Sequence, residues 1–513
     1  MSRVVMSGFI AAIVMGVLSS PHSSARAEQQ RPAAAQDRKL PDENTPRELF
    51  YPRYSLREGY ESSLSMMDIA QRPIEFTVSV HSLSGATVTS NKMTIRPSEE
   101  LTIDVRDLLA DLNVDYRGDF LEGTLSINFK GKGNPLAGRM VIAGPHERQN
   151  IGPVWSMGEF GQDMLPPVLN NYWHDLGGTR DAWVTVSNMS SQPAVGDVHF
   201  DIAGKRYSPA PLRFAPYQTH QLSVTEILAA LEITPYQATL GGLSIVPRGQ
   251  PTLVASGYMT DSDTGAQTAL DFPLPQKQPS SALHTTGIPI GRPTAGSPFA
   301  GFKDANFTPH LYLRNLLDAE QTVRLTVEVP TQNGAQLVNL APFRLPAFTT
   351  LDVRLDDYYN ELPLPLPFVS LRAAFNGPGG SVIGTVKVFN EATAQVTSIG
   401  SANEGNGYAG SLASYWGFDD DTDFVVFLTD MGEKDCRVAF QIESAGKEYI
   451  VPNVKLMPHE TRWYSLRDLR DQQIPDLSGN MIPKDAVEGR LFYLRMDNVP
   501  MMGRVSKVPQ IPK

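Results

Sequence analysis

Residues 97–109 read PSEELTIDVRDLL: a proline, a short alternating run, then Asp104 followed three positions later by Asp107. An Asp at a helix N-cap accepts hydrogen bonds from the unpaired N–H groups of the first turn. An acid at the third helical position sits at the positive end of the helix dipole. The phrase therefore predicts a strand that runs directly into a short helix. It returns at 216–228 (PYQTHQLSVTEIL), with Ser223 and Glu226, and at 458–469 (PHETRWYSLRDL), with Ser465 and Asp468. A looser copy at 346–356 places Asp352 six positions after its proline and Asp356 four beyond that. The prolines are 119, 130 and 112 residues apart, and a phrase repeated at such intervals means an array of similar domains. The acids read as caps rather than catalysts, because the pattern is a helix-start signal.

Around the phrase, each repeat can be followed in one order. Apolar runs at 64–67, 182–187, 310–314 and 424–428 are expected to open the units. Runs beginning at Ile74, Val323 and Val438 alternate apolar and polar residues, as a strand with one buried face does. Turn pairs follow at Ser84-Gly85, Gly204-Lys205, Asn333-Gly334 and Ala445-Gly446. After the helix, strands are predicted at 125–129, 243–246, 369–375 and 491–496. A small residue then interrupts the next apolar strand, at Gly138, Ala255, Gly384 and Gly503. A small side chain there suits close approach of the facing sheet or a bulge.

The pattern predicts an all-β protein of four tandem β-sandwich domains, each with about seven strands and one short capped helix. The expected domains are 47–150, 151–275, 292–402 and 406–513. In strand count, spacing and pattern they resemble immunoglobulin or fibronectin-III sandwiches arrayed in tandem in secreted bacterial proteins. That resemblance implies an architecture and no site residue; the Cys…Trp…Cys hallmark is absent.

The first residues carry Arg3, an apolar run over 4–18 and Ala25-Arg26-Ala27. This is the pattern of a signal peptide cleaved after Ala27, followed by a polar, flexible leader over 28–46. The expected location is secreted, either extracellular or periplasmic, with no integral membrane segment once the signal is removed. The formal charge is −11, and about −13 without the signal. An acidic, well-mixed surface argues against nucleic acid as a partner. Cys436 is the sole cysteine, so no intramolecular disulfide is available, and its alternating surroundings make it a small buried residue.

The connecting stretches 145–181, 273–309 and 400–422 are rich in Gly, Pro and aromatics. Trp155, Phe160, Phe299, Phe302, Tyr415, Trp416 and Phe418 are expected to pack across domain boundaries and stiffen the array. Their alternative use is as aromatic platforms for a ligand.

No nucleophile elbow, P-loop, G-x-G-x-x-G or H-E-x-x-H occurs. His81, His174, His199, His220, His310 and His459 are scattered singly, without metal-ligand spacing. Asp419-Asp420-Asp421-Thr422-Asp423 is oxygen-rich but lacks the ligand alternation and glycine of a calcium loop, and reads as a solvated turn. Asp261-Ser262-Asp263-Thr264-Gly265 has the chemistry of a hairpin turn. We therefore assign no catalytic, cofactor-binding or metal residue. The sequence points to a secreted non-enzymatic repeat protein for surface attachment, protein or glycan binding, or envelope scaffolding. The alternative is a polysaccharide-directed hydrolase or its carbohydrate-binding accessory module, whose two carboxylates no spacing would betray.

Overall fold

The computed structural model describes residues 46–68, 72–97, 99–130, 136–144, 148–151, 154–155, 168–250, 252–263, 267–270, 272, 280–332, 334–363, 365–393, 395–403, 408–409, 413–418, 421–444, 447–451, 454–476, 478–495 and 499–510. The expected signal peptide and nearly all of the leader lie outside them. Among the described residues no helix is long and apolar enough to cross a membrane.

The chain folds as four two-sheet sandwiches built to one plan. In the first, one sheet runs in the order Val154–Trp155, Pro46–Ser55, Glu122–Lys130, Ile74–Ser82, Thr87–Thr89. The other runs Glu100–Asp104, Glu61–Asp68, Leu136–Ala143, Arg148–Ile151. The remaining sandwiches repeat the core of this arrangement around central strands Arg180–Asn188, Phe307–Asn315 and Thr422–Asp430, with differences at the sheet edges such as Tyr408–Ala409, which pairs in parallel in the fourth. The pairings among these core strands are antiparallel. The first strand of each sandwich lies beside the strand that follows the helix, and the next strand after that lies beside the second. In an immunoglobulin constant domain, A pairs with B and G with F. The two terminal strands have thus exchanged sheets here.

One strand per unit was not expected. Each sandwich opens with a strand ahead of the predicted one: Pro46–Ser55, Leu169–Trp173, Ala282–Ile288 and Ala413–Gly417. The last three lie inside the stretches taken as connections, and Ala282–Ile288 precedes residue 292, where the third domain was expected to begin. Ala282–Ile288 is buried along its whole length, so its residues carry no period-two alternation to reveal it.

The repeated phrase forms the predicted strand-to-helix corner in three units. Helix α1 (Val105–Asp111) is capped by Asp104, whose carboxylate accepts from Arg106 N (2.8 Å) and Asp107 N (3.1 Å). Helices α2 (Val224–Ala230) and α3 (Leu466–Asp471) are capped by Ser223 and Ser465 through the N–H groups of Glu226 and Asp468. Asp104 takes both N–H groups on one carboxylate oxygen, whereas each serine hydroxyl takes one N–H and is itself a donor. In these two units a carboxylate from the neighbouring strand supplies the rest. Asp181 accepts from Ser223 Oγ and Thr225 N, and Asp423 from Ser465 Oγ and Arg467 N.

The third copy departs from the expectation. Its extra residue puts Arg354 at the cap position, without a side-chain cap bond, and Leu355–Glu361 winds as a 3₁₀ helix. Asp352, the expected cap, instead meets His310 Nδ1 at 3.0 Å.

Register makes the repeats directly comparable. The cap positions Asp104, Ser223, Arg354 and Ser465 face Ser63, Trp183, His310 and Val425. Three residues further on, Met66, Val186, Leu313 and Leu428 face Gly138, Ala255, Gly384 and Gly503. A Cβ on Gly138 would lie 2.5 Å from the Tyr51 hydroxyl, one on Gly384 2.7 Å from Leu313, and one on Gly503 2.5 Å from Tyr493. Gly138 and Gly503 therefore mark close sheet-to-sheet approach, while Gly384 is crowded first by its in-sheet neighbour Leu313 and then, at 3.4 Å, by Leu283 of the facing sheet.

Two residues beyond each of those partners stands Asp68, Asn188, Asn315 or Asp430, all fully buried. Asn188 and Asn315 donate to loop carbonyls on both sides, and Asp430 accepts from Gly432 N. In the second, third and fourth units this buried Asx ties down the loop at the end of the strand. Its sequence signal is an acid or amide as the last residue of the second strand, followed in three units by Leu or Met.

The chain divides into two compact units, one of residues up to Ile202 with Arg206–Leu274, the other of Pro275 onward together with Ala203–Lys205. Each holds a pair of sandwiches.

Candidate functional site

Most of the residues that sequence reading flagged are taken up by the fold. Trp416 is buried, but in the core of its own sandwich rather than against a neighbour. Its indole N–H donates to Arg490 O (3.2 Å) and its ring lies 4.9 Å from Phe418. Phe418 also lies beneath Arg467 and Arg470 of α3. Trp155 pairs through its backbone with Leu49 of its own sandwich. Phe160 and the side chains of Trp155 and Tyr415 lie outside the described residues. Phe299 is buried and does cross a boundary, stacking at 5.8 Å on Phe427 of the fourth sandwich; Phe302 packs on Phe307.

Asp419 and Asp420 also lie outside the described residues. Asp423 is not a solvated turn residue: it is buried beneath α3, and burial pushes its carboxyl above the ordinary range. Asp261 accepts from Asp263 N (3.0 Å), the expected turn contact. Cys436 is fully buried in the fourth core. His174 pairs with Asp175, His199 with Ser208, and His220 with Arg213 O. Among the described residues no three His, Cys, Asp or Glu side chains are grouped as a metal would require.

Side chains of opposite chemistry converge instead at the joints within each pair of sandwiches. In the first unit the joint is polar. Glu122, almost fully buried, accepts from Ser55 Oγ (3.2 Å), Arg57 Nη2 (2.6 Å) and, from the second sandwich, Gln221 Nε2 (2.9 Å). Arg53 rises from a bulge in the first strand, and its guanidinium lies 3.7 Å above the Tyr258 ring. The ring of His81 stacks on Tyr217 with centroids 4.5 Å apart and an 11° interplanar angle. Its nitrogens contact Thr87 Oγ1 (2.8 Å) and Ser126 Oγ (3.1 Å). Burial lowers the His81 pKa to about 4. Thr219 N donates to Leu83 O (3.0 Å), and Phe50, Met189 and Val254 close the apolar part.

In the second unit the joint is apolar with an ionic edge. Val425, Phe427 and Val508 of the fourth sandwich belong to the same core as the third. Phe427 packs edge-on to Phe368 (5.3 Å) and over Gly287, where a Cβ would lie 2.8 Å from its ring. Arg504 is half-buried and donates to Thr286 O (2.9 Å) and Gly287 O (2.6 Å). Burial lowers its pKa to about 10, so it remains a cation. The hydroxyls of Thr286, Ser370, Thr429 and Thr461 bond in a chain across the boundary. His459 Nδ1 meets Glu328 Oε1 at 3.0 Å.

The two joints occupy one place in the repeat. Tyr217 and His459 each follow the repeat proline, and both hold positive φ. Their partners, His81 and Glu328, each stand five residues beyond equivalent strand positions, Phe76 opposite Phe129 and Val323 opposite Phe375. Glu122 and Phe368 lie seven residues before those phenylalanines, and Gln221 and Trp463 two before the caps. Thr185 and Phe427 face Gln221 and Trp463 respectively. The same surface is thus wired by Glu122–Gln221 in one unit and filled by Phe368, Phe427 and Trp463 in the other.

No family model matches the chain, and no curated protein matches it by sequence. Among solved structures the chain is similar to one described as the tetra-tandem repeat in the extending region of a large adhesion protein. The alignment is 9% identical and spans 87% of this chain and 95% of that one, with a TM-score of 0.10.

Proposed function

We propose that this is an exported, non-enzymatic protein whose paired sandwiches act as a stiff structural and attachment module at or beyond the cell envelope. The observation that supports it is the build of the joints. Buried charge, stacked rings and a continuous core are spent on holding one sandwich against the next, where a flexible string of domains would need none of them. Two of the aromatics considered as ligand platforms, Phe299 and Trp416, are buried. A protein partner therefore fits better than a glycan stacked on exposed rings.

The test uses the purified chain lacking residues 1–27. Assayed against polysaccharide substrates and against arrays of envelope proteins and glycans, it is expected to release no sugar and to bind protein. Turnover of a polysaccharide would replace this reading with the hydrolase, and retention of the full-length chain in the cytoplasm would remove the export.

A further inference from the structure

The two joints hold titratable side chains at the same place but of opposite character. In the first unit His81 is buried between Tyr217, Phe50 and two hydroxyls, with no carboxylate among those ring and hydroxyl partners. In the second, His459 is buried with one nitrogen on Glu328 Oε1 (3.0 Å) and the other towards Glu433 Oε1 (3.5 Å). Glu328, on Gln321–Thr331 of the third sandwich, is almost wholly buried; Glu433, in a turn of the fourth, is exposed. The other charged groups here are His284, 3.9 Å from the same Glu328 oxygen on the strand Ala282–Ile288, and Arg372 opposite it in the ladder. On the chain segment of His459 itself, Glu460 is occupied by Arg462 and by Met457 N.

We propose that the His459–Glu328 pair makes the joint between the third and fourth sandwiches sensitive to pH, held when His459 is protonated and loosened when it is neutral. A carboxylate removed from water is costly unless a cation and hydrogen bonds compensate it. The cation that reaches Glu328 at hydrogen-bond distance from across the boundary is His459, and only while it carries its proton. The hydrogen bond that His459 donates to Glu328 raises the His459 pKa above its ordinary value, which is the same coupling seen from the histidine. The sign follows: a raised histidine pKa gives stability that is full below the unfolded value near 6.5 and is lost as pH rises through the folded value. Each pKa unit of coupling is tenfold in the opening equilibrium. The first joint, whose His81 is held neutral by burial, does not loosen as pH rises.

The experiment follows hydrogen exchange of the full chain at pH 6 and pH 8.5, corrected for intrinsic rates, with imidazole titration by NMR in the same protein. Exchange in segments 284–288 and 459–463 is expected to rise several-fold at the higher pH, while 81–83 and 217–219 show no rise. His459 is expected to titrate above 6.5. In His459→Gln, and independently in Glu328→Gln, the pH dependence of the second joint is expected to vanish. A wild-type His459 that titrates at or below 6.5, or a pH dependence that survives in either variant, overturns the proposal. The wild-type titration decides even if a variant fails to fold.

Discussion

Phe427→Ala tests whether the second joint is a true core. The ring is fully buried, stacked on Phe299 and edge-on to Phe368. A phenylalanine buries on the order of 150–250 Å². At about 25 cal/mol per Å² that corresponds to roughly 4–6 kcal/mol as an upper figure. Alanine retains part of it and leaves a cavity, so the expected loss is about 3–5 kcal/mol. The equivalent residue of the first joint is Thr185, buried but small, and Thr185→Ala is expected to cost only about 1 kcal/mol. Urea unfolding of the full chain, with hydrogen exchange to assign transitions, separates the two. Phe427→Ala should bring forward the transition of the second unit alone. Equal and small losses for the two substitutions would refute the claim that one joint is apolar and the other polar.

The first joint should weaken in acid. His81 falls from 6.5 to about 4, so the unfolded chain takes up a proton that the folded one refuses. Stability is full above about 6.5 and declines by on the order of 3 kcal/mol as pH falls through 4; a pH series of urea melts, with His81→Gln losing this dependence, checks it. Asp104→Ala and Ser223→Ala should each cost about 1 kcal/mol in their own unit, read by calorimetry. Asp423→Ala should cost about 1–3 kcal/mol, since it strips the acceptor from Ser465, Arg467 N and Phe424 N. With those donors in place, millimolar calcium should leave the melting temperature unchanged, because only a ligand of the folded state raises it. Gly384→Ala should cost about 1–3 kcal/mol by overpacking against Leu313, whereas Gly400→Ala, with open space around it, should be nearly neutral.

The array of four units, the all-β class and the strand-to-helix corners were legible in the sequence. Each depends on short-range chemistry: a cap oxygen must lie within three residues of the N–H it accepts, and a half-buried strand must alternate. Gly138, Gly384 and Gly503 were legible for a related reason, because exclusion of a Cβ leaves its mark on residue type. The failures share a different cause. Ala282–Ile288 is buried on both faces, so no period marks it. Asp352 has the right chemistry for a cap, but one added residue turned it towards His310. Asp423 reads as a surface acid until the helix folds over it, and Trp416 reads as a joint residue until its indole finds Arg490 O in its own sheet.

The joints lay furthest out of reach. Glu122 and Gln221 are 99 residues apart, and His459 and Glu328 are 131 apart. What a buried carboxylate becomes depends on which side chain the neighbouring sandwich brings to it. Local pattern fixed the repeat, because local hydrogen bonds and periodicity are written along the chain. Only the tertiary structure decided that equivalent positions carry a neutral stack in one unit and an ion pair in the other. Burial and pairing there are properties of two surfaces meeting, and neither surface alone encodes the other.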